Sequence, residues 1–346
     1  MKKSIRRRDS RLLRSMGKQL FHRHRPQVKR VFPFSKWWPT LIGALVGVCL
    51  RLVFSGTPGF PFAAMDQAFI LFVPLAVGAV AVYVAETQSR RSWSYYMSVG
   101  AITNIFFVLG TLLILIEGLI CAVIILPLFI VIGAIGGLIM GAICRATNWP
   151  RHAVFSFAVL PLALGALPVG AGSNQHLGVV ERTIVITAPA NSVWHQLHNV
   201  DAIRPEEVDR AWMYRIGVPL PISGVTQVTP AGLVRKIEMG KSIHFDQIST
   251  EWLENRYVKW RYRFQEDSFP PNALDDHVKI GGHYFDIIDT EYTLAPAGLE
   301  STSLSIRIHY RVSTDFNWYA DPVAQFLIGN FEEVILGFYA HRSIGA

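Results

Sequence analysis

Residues 184–197 read Ile-Val-Ile-Thr-Ala-Pro-Ala-Asn-Ser-Val-Trp-His-Gln-Leu, and this stretch decides how the second half of the chain folds. It contains the end of a run with strand character, residues 180–187. Pro189 follows at once, in a position that the first turn of a helix tolerates well. The apolar residues after it fall on one side of a helical turn: Val193, Trp194 and Leu197. The stretch therefore predicts a strand that leads directly into a short helix.

Five further runs with strand character follow the short helix, at about 232–239, 242–250, 256–264, 283–294 and 302–313. In two of them apolar and polar residues alternate cleanly. The third run places on one face Val258, Trp260, Tyr262 and Phe264, and the last run places on one face Leu304, Ile306, Ile308, Tyr310 and Val312. Such alternation is typical of an antiparallel sheet with one face buried and the other in water.

The chain closes with a pattern of helical period between Asp321 and Arg342. Its large apolar residues trace one face, as expected for a helix that packs on a sheet. They are Val323, Phe326, Leu327, Val334, Ile335 and Phe338. From this pattern we expect Phe326, Leu327 and Phe331 to face the sheet.

One strand, a short helix, an antiparallel sheet and a long closing helix follow the order of the START-like superfamily, also called SRPBCC or polyketide-cyclase/dehydrase-like. The chain resembles this superfamily over about residues 179–342, through the stretch 184–197 and the closing helix. Ala-Leu-Asp-Asp-His at 273–277 and Gly-Gly-His-Tyr-Phe-Asp at 281–286 resemble a subgroup of membrane-anchored bacterial members. The resemblance implies a C-terminal α+β helix-grip domain, with an antiparallel sheet around a long C-terminal helix.

The same resemblance implies an apolar cavity between sheet and helix, of the kind that holds lipids, sterols or polyketides. Five side chains on the predicted buried faces are the expected ligand-binding residues: Trp260, Tyr262, Ile306, Ile308 and Tyr310. The main expectation is a membrane-anchored binding module for a hydrophobic or lipid-like ligand. Two alternatives stay open, a cyclase-like or hydrolase-like enzyme acting on a hydrophobic substrate, and a structural scaffold with a filled core.

The tightest cluster of titratable residues is Asp275, Asp276 and His277. Hydrogen bonding in a surface loop explains this cluster as well as general base catalysis does. Two looser pairs are His244 with Asp246 and His283 with Asp286. No spacing of His, Cys, Asp and Glu matches a metal motif, and the sequence contains no phosphate loop or nucleophile elbow. We therefore predict no catalytic residue, no metal site and no cofactor.

The first half of the chain is almost uniformly apolar, and about 20 apolar residues suffice for a helix to cross a bilayer. Four stretches meet or approach this length: 40–56, 67–86, 95–143 and 152–171. The third stretch is too long for one span and is interrupted at Glu117-Gly118, which predicts two spans at 95–116 and 119–143. The sequence thus predicts an N-terminal α-helical transmembrane bundle of about five spans.

These patterns predict four parts: a basic cytoplasmic tail at 1–38, a transmembrane domain at 39–172, a linker at 173–178 and the START-like domain at 179–346. With the tail inside, the predicted inner loops carry all the loop arginines, Arg90, Arg91, Arg145 and Arg151, as the positive-inside rule requires. An odd number of spans places the C-terminal domain outside. We therefore predict a bacterial inner-membrane protein with a cytoplasmic N-terminus and a periplasmic C-terminal domain.

The net charge of +8 is distributed unevenly. Residues 1–30 contain twelve Lys and Arg and one acidic residue, whereas residues 174–346 contain fifteen basic and twenty-one acidic residues. A basic run beside a membrane span favours contact with anionic lipid headgroups. No aromatic interleaving or nucleic-acid-binding pattern accompanies the charge. Membrane lipids are therefore expected partners, and nucleic acid is not.

Within the membrane half, Gly133, Gly137 and Gly141 recur at every fourth residue. Small residues at this spacing let helices approach closely, so we expect tight packing within the bundle or a homo-oligomer. Arg51 and Glu117 lie near the predicted outer ends of their spans. We expect the two to pair with each other, or Arg51 to reach outward, and neither outcome indicates transport.

Overall fold

The computed structural model describes residues 36–56, 61–147, 153–166 and 175–344, and the side chains of 153–158 lie outside that description. The chain divides into two units, Met1–Trp38 and Pro39–Ala346. The predicted basic tail thus lies almost wholly outside the described residues. The fold given below is that of the second unit.

Five apolar helices form the first half: Trp38–Val53 (α1), Val73–Gln88 (α2), Trp93–Leu113 (α3), Leu119–Ala146 (α4) and Ala153–Gly165 (α5). A π-helical turn at Ala68–Phe72 leads directly into α2. The apolar stretch 95–143 divides into α3 and α4. The break at residues 114–118 contains Glu117-Gly118, where the sequence predicted an interruption.

Three helical stretches among the described residues are long and apolar enough to cross a membrane: Ala68–Gln88, Trp93–Leu113 and Leu119–Ala146. Helix α1 is apolar but shorter, with 16 residues. Helices of this length and composition fit a membrane protein, and the count of five spans stays a prediction.

Glycines let α4 pack closely against its neighbours. A Cβ atom at Gly133 would overlap the side-chain amide of Asn104 on α3. That amide donates hydrogen bonds to backbone carbonyl oxygens of α2 (3.1 Å) and α3 (3.0 Å). Gly137 and Gly141 lie in the same way against Tyr96. The glycines thus serve packing within the chain, and a homo-oligomer through the same residues stays a prediction.

The second half forms one antiparallel sheet of eight strands. The strands are His176–Ile186 (β1), Asn199–Val200 (β2), Pro221–Thr229 (β3), Gly232–Met239 (β4), Ile243–Leu253 (β5), Tyr257–Arg263 (β6), Phe285–Pro296 (β7) and Thr302–Val312 (β8). Their order across the sheet is β1-β8-β7-β6-β5-β4-β3-β2. Four helices accompany them: Ala190–His198 (α6), Pro205–Val208 (α7), Trp212–Arg215 (α8) and Asn317–Ile344 (α9).

The long helix α9 packs on the sheet against β1 and β8 and also contacts α6. This arrangement fits the predicted helix-grip architecture. Strand β1 begins at His176, inside the predicted linker, because residues 176–178 pair with the end of β8. The sequence pattern did not reveal β2 and β3.

The faces that alternation predicted to be buried form the core of this domain. Val258 and Trp260 of β6 are fully buried, and the five alternating apolar residues of β8 are each at most 3% exposed. They pack with residues of α6 and α9 into one apolar cluster. Full burial of such a side chain contributes about 1.5–3 kcal/mol relative to exposure, so the alternating residues are a main source of stability for this sheet.

The prediction that Phe326 faces the sheet is wrong. Its side chain is 56% exposed, and its ring lies 6.5 Å from that of Trp212. The buried face of α9 passes instead through Ile328, Ile335 and Tyr339. Because an α-helix has 3.6 residues per turn, residues 326 and 328 point about 200° apart. The apolar pattern of the helix is broad, and Phe326 lies on its outer margin.

Candidate functional site

A cavity of about 160 Å³ lies between the sheet and helix α9, and we call it the inner cavity. Every strand from β3 to β8 contributes to its wall, because the sheet curls around the helix. The apolar part of the wall includes Ile237, Phe245, Ile287, Ile308, Ile335 and Phe338. A cavity of about 150 Å³ with such a lining is large enough to accept a ligand the size of benzene.

Two of the five predicted ligand-binding residues, Tyr262 and Ile308, line the inner cavity. The other three lie elsewhere in the core. The ring of Trp260 lies 5.6 Å from that of His198, at the end of α6. Ile306 is buried one step further along β8. The hydroxyl of Tyr310 donates a hydrogen bond to Asp321 at 2.6 Å.

One side of the inner cavity is polar, and its central group is Arg235 of β4. This side chain is 6% exposed, and its Nη2 donates a hydrogen bond to the hydroxyl of Tyr339 at 3.2 Å. Tyr262, whose hydroxyl is 2.7 Å from that of Thr290, and Gln247 complete this side. Burial raises the pKa of Tyr262, which therefore stays protonated and is a hydrogen-bond donor rather than a base.

Arg235 is not among the residues predicted from the sequence, although the alternation along β4 gives a signal for it. Leu233 and Ile237 share its face of the strand, because side chains at every second position point the same way. An arginine at an apolar position of the alternation therefore indicates a buried guanidinium. Gln247 stands in the same relation to Phe245 on β5.

A second cavity of about 160 Å³ lies at the contact between the membrane helices and the helix-grip domain, and we call it the junction cavity. Helix α4 contributes Ile120, Cys121, Ile124 and Ile125, and the domain contributes residues of α8, α9 and the loop before β7. Three residues line both cavities: Met213, Val218 and Ile328. The two cavities are thus neighbours across a thin wall of apolar side chains.

Hydrogen bonds join the domain to the turn before α4 and to α4 itself. The backbone N–H of Gly118 donates to Oδ2 of Asp275 at 3.2 Å, and the hydroxyl of Tyr319 donates to the carbonyl oxygen of Ile124 at 2.6 Å. Oδ1 of Asp275 lies 2.9 Å from Nδ1 of His277. Burial opposes both charges, but their mutual contact lowers the pKa of Asp275 and raises the pKa of His277. The Asp275–His277 pair therefore helps to hold the two halves of the chain together.

The same place brings together Glu117, Cys121, Asp275 and His277, whose donor atoms all lie within 4.8 Å of one another. Carboxylate oxygen, thiolate sulfur and imidazole nitrogen are the ligands that Zn²⁺ takes in proteins, so these residues could hold a metal ion. Glu117 also pairs with Arg51, one of the two outcomes predicted for these residues. Sequence spacing could not reveal this group, since Asp275 stands 157 residues after Gly118.

The other pairs considered from the sequence lie away from both cavities. His244 contacts Asp267 at 3.4 Å rather than Asp246, which accepts a hydrogen bond from Arg263 at 2.6 Å. Asp286 accepts one from the backbone N–H of Gly281 at 2.8 Å. These contacts stabilise the surface of the domain. A further group is Asp289, Glu291 and His309, and both of its carboxylates pair with Lys259, whose Nζ lies 3.3 Å from Asp289 and 2.9 Å from Glu291.

Comparison with protein-family models found no match, and comparison with curated protein sequences found none either. Among solved structures, the chain is similar to the Zhui aromatase/cyclase from Streptomyces sp. R1128, with 14% identity, 49% of this chain and 94% of that chain covered, and a TM-score of 0.30. It is similar to a START superfamily protein from Mycobacterium smegmatis, with 15% identity, 48% and 97% covered, and a TM-score of 0.31. It is also similar to norcoclaurine synthase from Thalictrum flavum, with 10% identity, 47% and 95% covered, and a TM-score of 0.26. These likenesses concern the fold of about half the chain.

Proposed function

We propose that the protein is a membrane-anchored binding module that holds a hydrophobic, lipid-like ligand in the inner cavity. The observation that carries this proposal is the apolar inner cavity itself, separated from the junction cavity by three side chains. Hydrophobic molecules concentrate in bilayers, and the junction cavity supports an entry route from the side of the membrane helices.

The inner cavity also bears on the two alternatives. A scaffold with a filled core would leave no such space. An enzyme that used a His, Asp or Glu as general base would need that residue within reach of its substrate. Among the described residues that line the inner cavity there is no His, Asp or Glu. Binding without chemistry is therefore the function that this lining supports best.

Replacing Ile287 with tryptophan is expected to abolish binding, because the larger indole ring occupies part of the inner cavity. The protein is used at full length in phospholipid nanodiscs, and 1-decanol and decanoate are titrated calorimetrically, with empty nanodiscs subtracted. At least one probe should bind the wild type with one site per chain. The variant should bind it at least about tenfold more weakly, which is about 1.4 kcal/mol.

The neighbouring residue gives a matched control, because Ile288 is 41% exposed and is not among the cavity-lining residues. Ile288→Trp should bind the probe like the wild type. Failure of both probes to bind the wild type, or equal binding by Ile287→Trp, would exclude the inner cavity as a ligand site.

We further propose that this module lies on the periplasmic side of a bacterial inner membrane, with the N-terminus in the cytoplasm. The contact between Glu117-Gly118 and the domain supports this orientation. Arg51, near the end of α1, pairs with Glu117, and the adjacent Gly118 contacts Asp275. The domain thus contacts the end of the bundle at which α1 finishes, whereas the basic run at residues 1–30 precedes its start.

Reporter fusions after Ala346 test this orientation. Alkaline phosphatase, which is active only outside the cytoplasm, should be active there, and a cytoplasmic fluorescent reporter should be dark. The matched fusions in the 87–92 loop between α2 and α3 should give the opposite pair of signals. A cytoplasmic signal after Ala346 would contradict the orientation and the five-span count together.

A further inference from the structure

Among the described residues, the buried positive charge of Arg235 has no acidic partner. Its Nη2 reaches only the neutral hydroxyl of Tyr339, and its Nε is buried without any hydrogen-bond partner. The side chains that interact with it most strongly are Tyr339, Tyr292 and Tyr262. Within the described part of the chain, no carboxylate forms an ion pair with this guanidinium. The nearby His198 adds no charge at neutral pH, because burial and the charge of Arg235 lower its pKa to about 4.

An ion buried without a partner costs several kcal/mol of folding stability. The domain nevertheless makes room for the guanidinium. A Cβ atom at Gly224 of β3 would lie 2.8 Å from Nη2 and 2.9 Å from Nε of Arg235. The absence of a side chain at Gly224 therefore leaves the space that the guanidinium of Arg235 occupies. Arg235 lines the inner cavity, and its buried Nε has no acceptor among the described residues.

We propose that the ligand is a single-chain amphiphile with a carboxylate head group that binds Arg235. This inference rests on the proposed binding function and names its ligand class. Carboxylates form short, charge-assisted and often bidentate hydrogen bonds with guanidinium groups. Arg235 is the one charged side chain among the described residues that line the inner cavity, so a single negative charge balances it. A doubly charged phosphate would be left half compensated.

The position of Arg235 also indicates the direction in which the hydrocarbon tail of the ligand points. Arg235 bonds to Tyr339 of α9, whereas Ile328, which lines both cavities, lies about 16 Å earlier along the same helix. Each cavity is about 160 Å³, close to the size that holds one benzene molecule. A chain of about ten carbons therefore needs both spaces, with its tail directed toward the membrane helices.

The test for the head group compares decanoate with 1-decanol on the full-length protein in zwitterionic nanodiscs. Decanoate should bind about 10–100-fold more tightly, since a hydrogen bond to a charged group contributes about 1.5–3 kcal/mol. In Arg235→Met this preference should disappear. Arg263→Met, which removes an exposed arginine of the same sheet, should keep it. Arg235→Met should also unfold at the same temperature as the wild type or higher, because it removes an unpaired buried charge.

The test for the tail uses Ile124→Trp, which fills part of the junction cavity and does not line the inner cavity. This variant should keep the wild-type affinity for butyrate and lose at least about tenfold in affinity for decanoate. An equal loss for both acids would overturn the proposed direction of the tail. Equal affinities of the wild type for decanoate and 1-decanol would overturn the head-group inference and leave the binding function standing. Binding of neither probe would overturn both.

Discussion

Replacing Trp260 with alanine is expected to lower the free energy of unfolding of the helix-grip domain by about 3–5 kcal/mol, the range for fully buried tryptophan and phenylalanine. Trp260 is the largest fully buried side chain, and it packs in the main apolar cluster beside His198. Its removal leaves a void that the surrounding sheet and α6 fill only in part. Near-ultraviolet circular dichroism during urea unfolding of the full-length protein in detergent measures this loss.

Trp252→Ala is the matched control on the adjacent strand β5. Trp252 is 42% exposed, and a surface substitution of this kind changes stability by no more than about 0.5 kcal/mol. Equal losses in the two variants would show that Trp260 is not in the core, and the alternation used to build the sheet would then be wrong.

The second large effect is a dependence of stability on pH that arises from Glu332. This carboxyl group is fully buried between α9 and the sheet, and neither of its oxygens has a hydrogen-bond partner. Burial is the main cause that raises its pKa to about 8, and the charge of Arg182 offsets part of that effect. In the unfolded chain the same group ionises near its ordinary value of 4.5.

Between these two pKa values the folded state binds more protons than the unfolded state, so stability falls as the pH rises. Relative to Glu332→Gln, the wild type should lose about 3 kcal/mol between pH 5 and pH 8, since each unit of pKa difference corresponds to about 1.4 kcal/mol. Urea unfolding at each pH gives this difference. Glu333→Gln, at an exposed neighbour that pairs with Arg182, should change with pH like the wild type. A constant difference between wild type and Glu332→Gln across this range would contradict the buried, neutral carboxyl group.

Alternation was sufficient to predict β6 and β8, because each of them places apolar residues at every second position. It failed for β3, where Pro221 and Gly224 interrupt a run that is otherwise weakly apolar. Strand β3 forms because it pairs with β4, and Gly224 leaves space for the side chain of Arg235. Both are tertiary contacts, which the local sequence pattern does not show.

The same limit explains the partial prediction of the candidate site. Alternation gives the face of a strand on which a side chain lies, but not its position relative to the helix that covers the sheet. Tyr262 and Ile308 lie where α9 leaves a space, whereas Trp260 lies where α6 fills it. The junction cavity depends on contacts between α4 and residues at least 88 positions later, for which a single sequence carries no signal.

Native mass spectrometry of the purified full-length protein, released from mild detergent, shows whether the inner cavity holds a ligand. We expect a species heavier than the bare chain by one small amphiphile, which organic extraction identifies as a carboxylic acid. The same preparation of Ile287→Trp should show the bare chain, and Ile288→Trp should retain the added mass. A wild-type protein that carries no added mass and acquires none on incubation with decanoate would contradict the account.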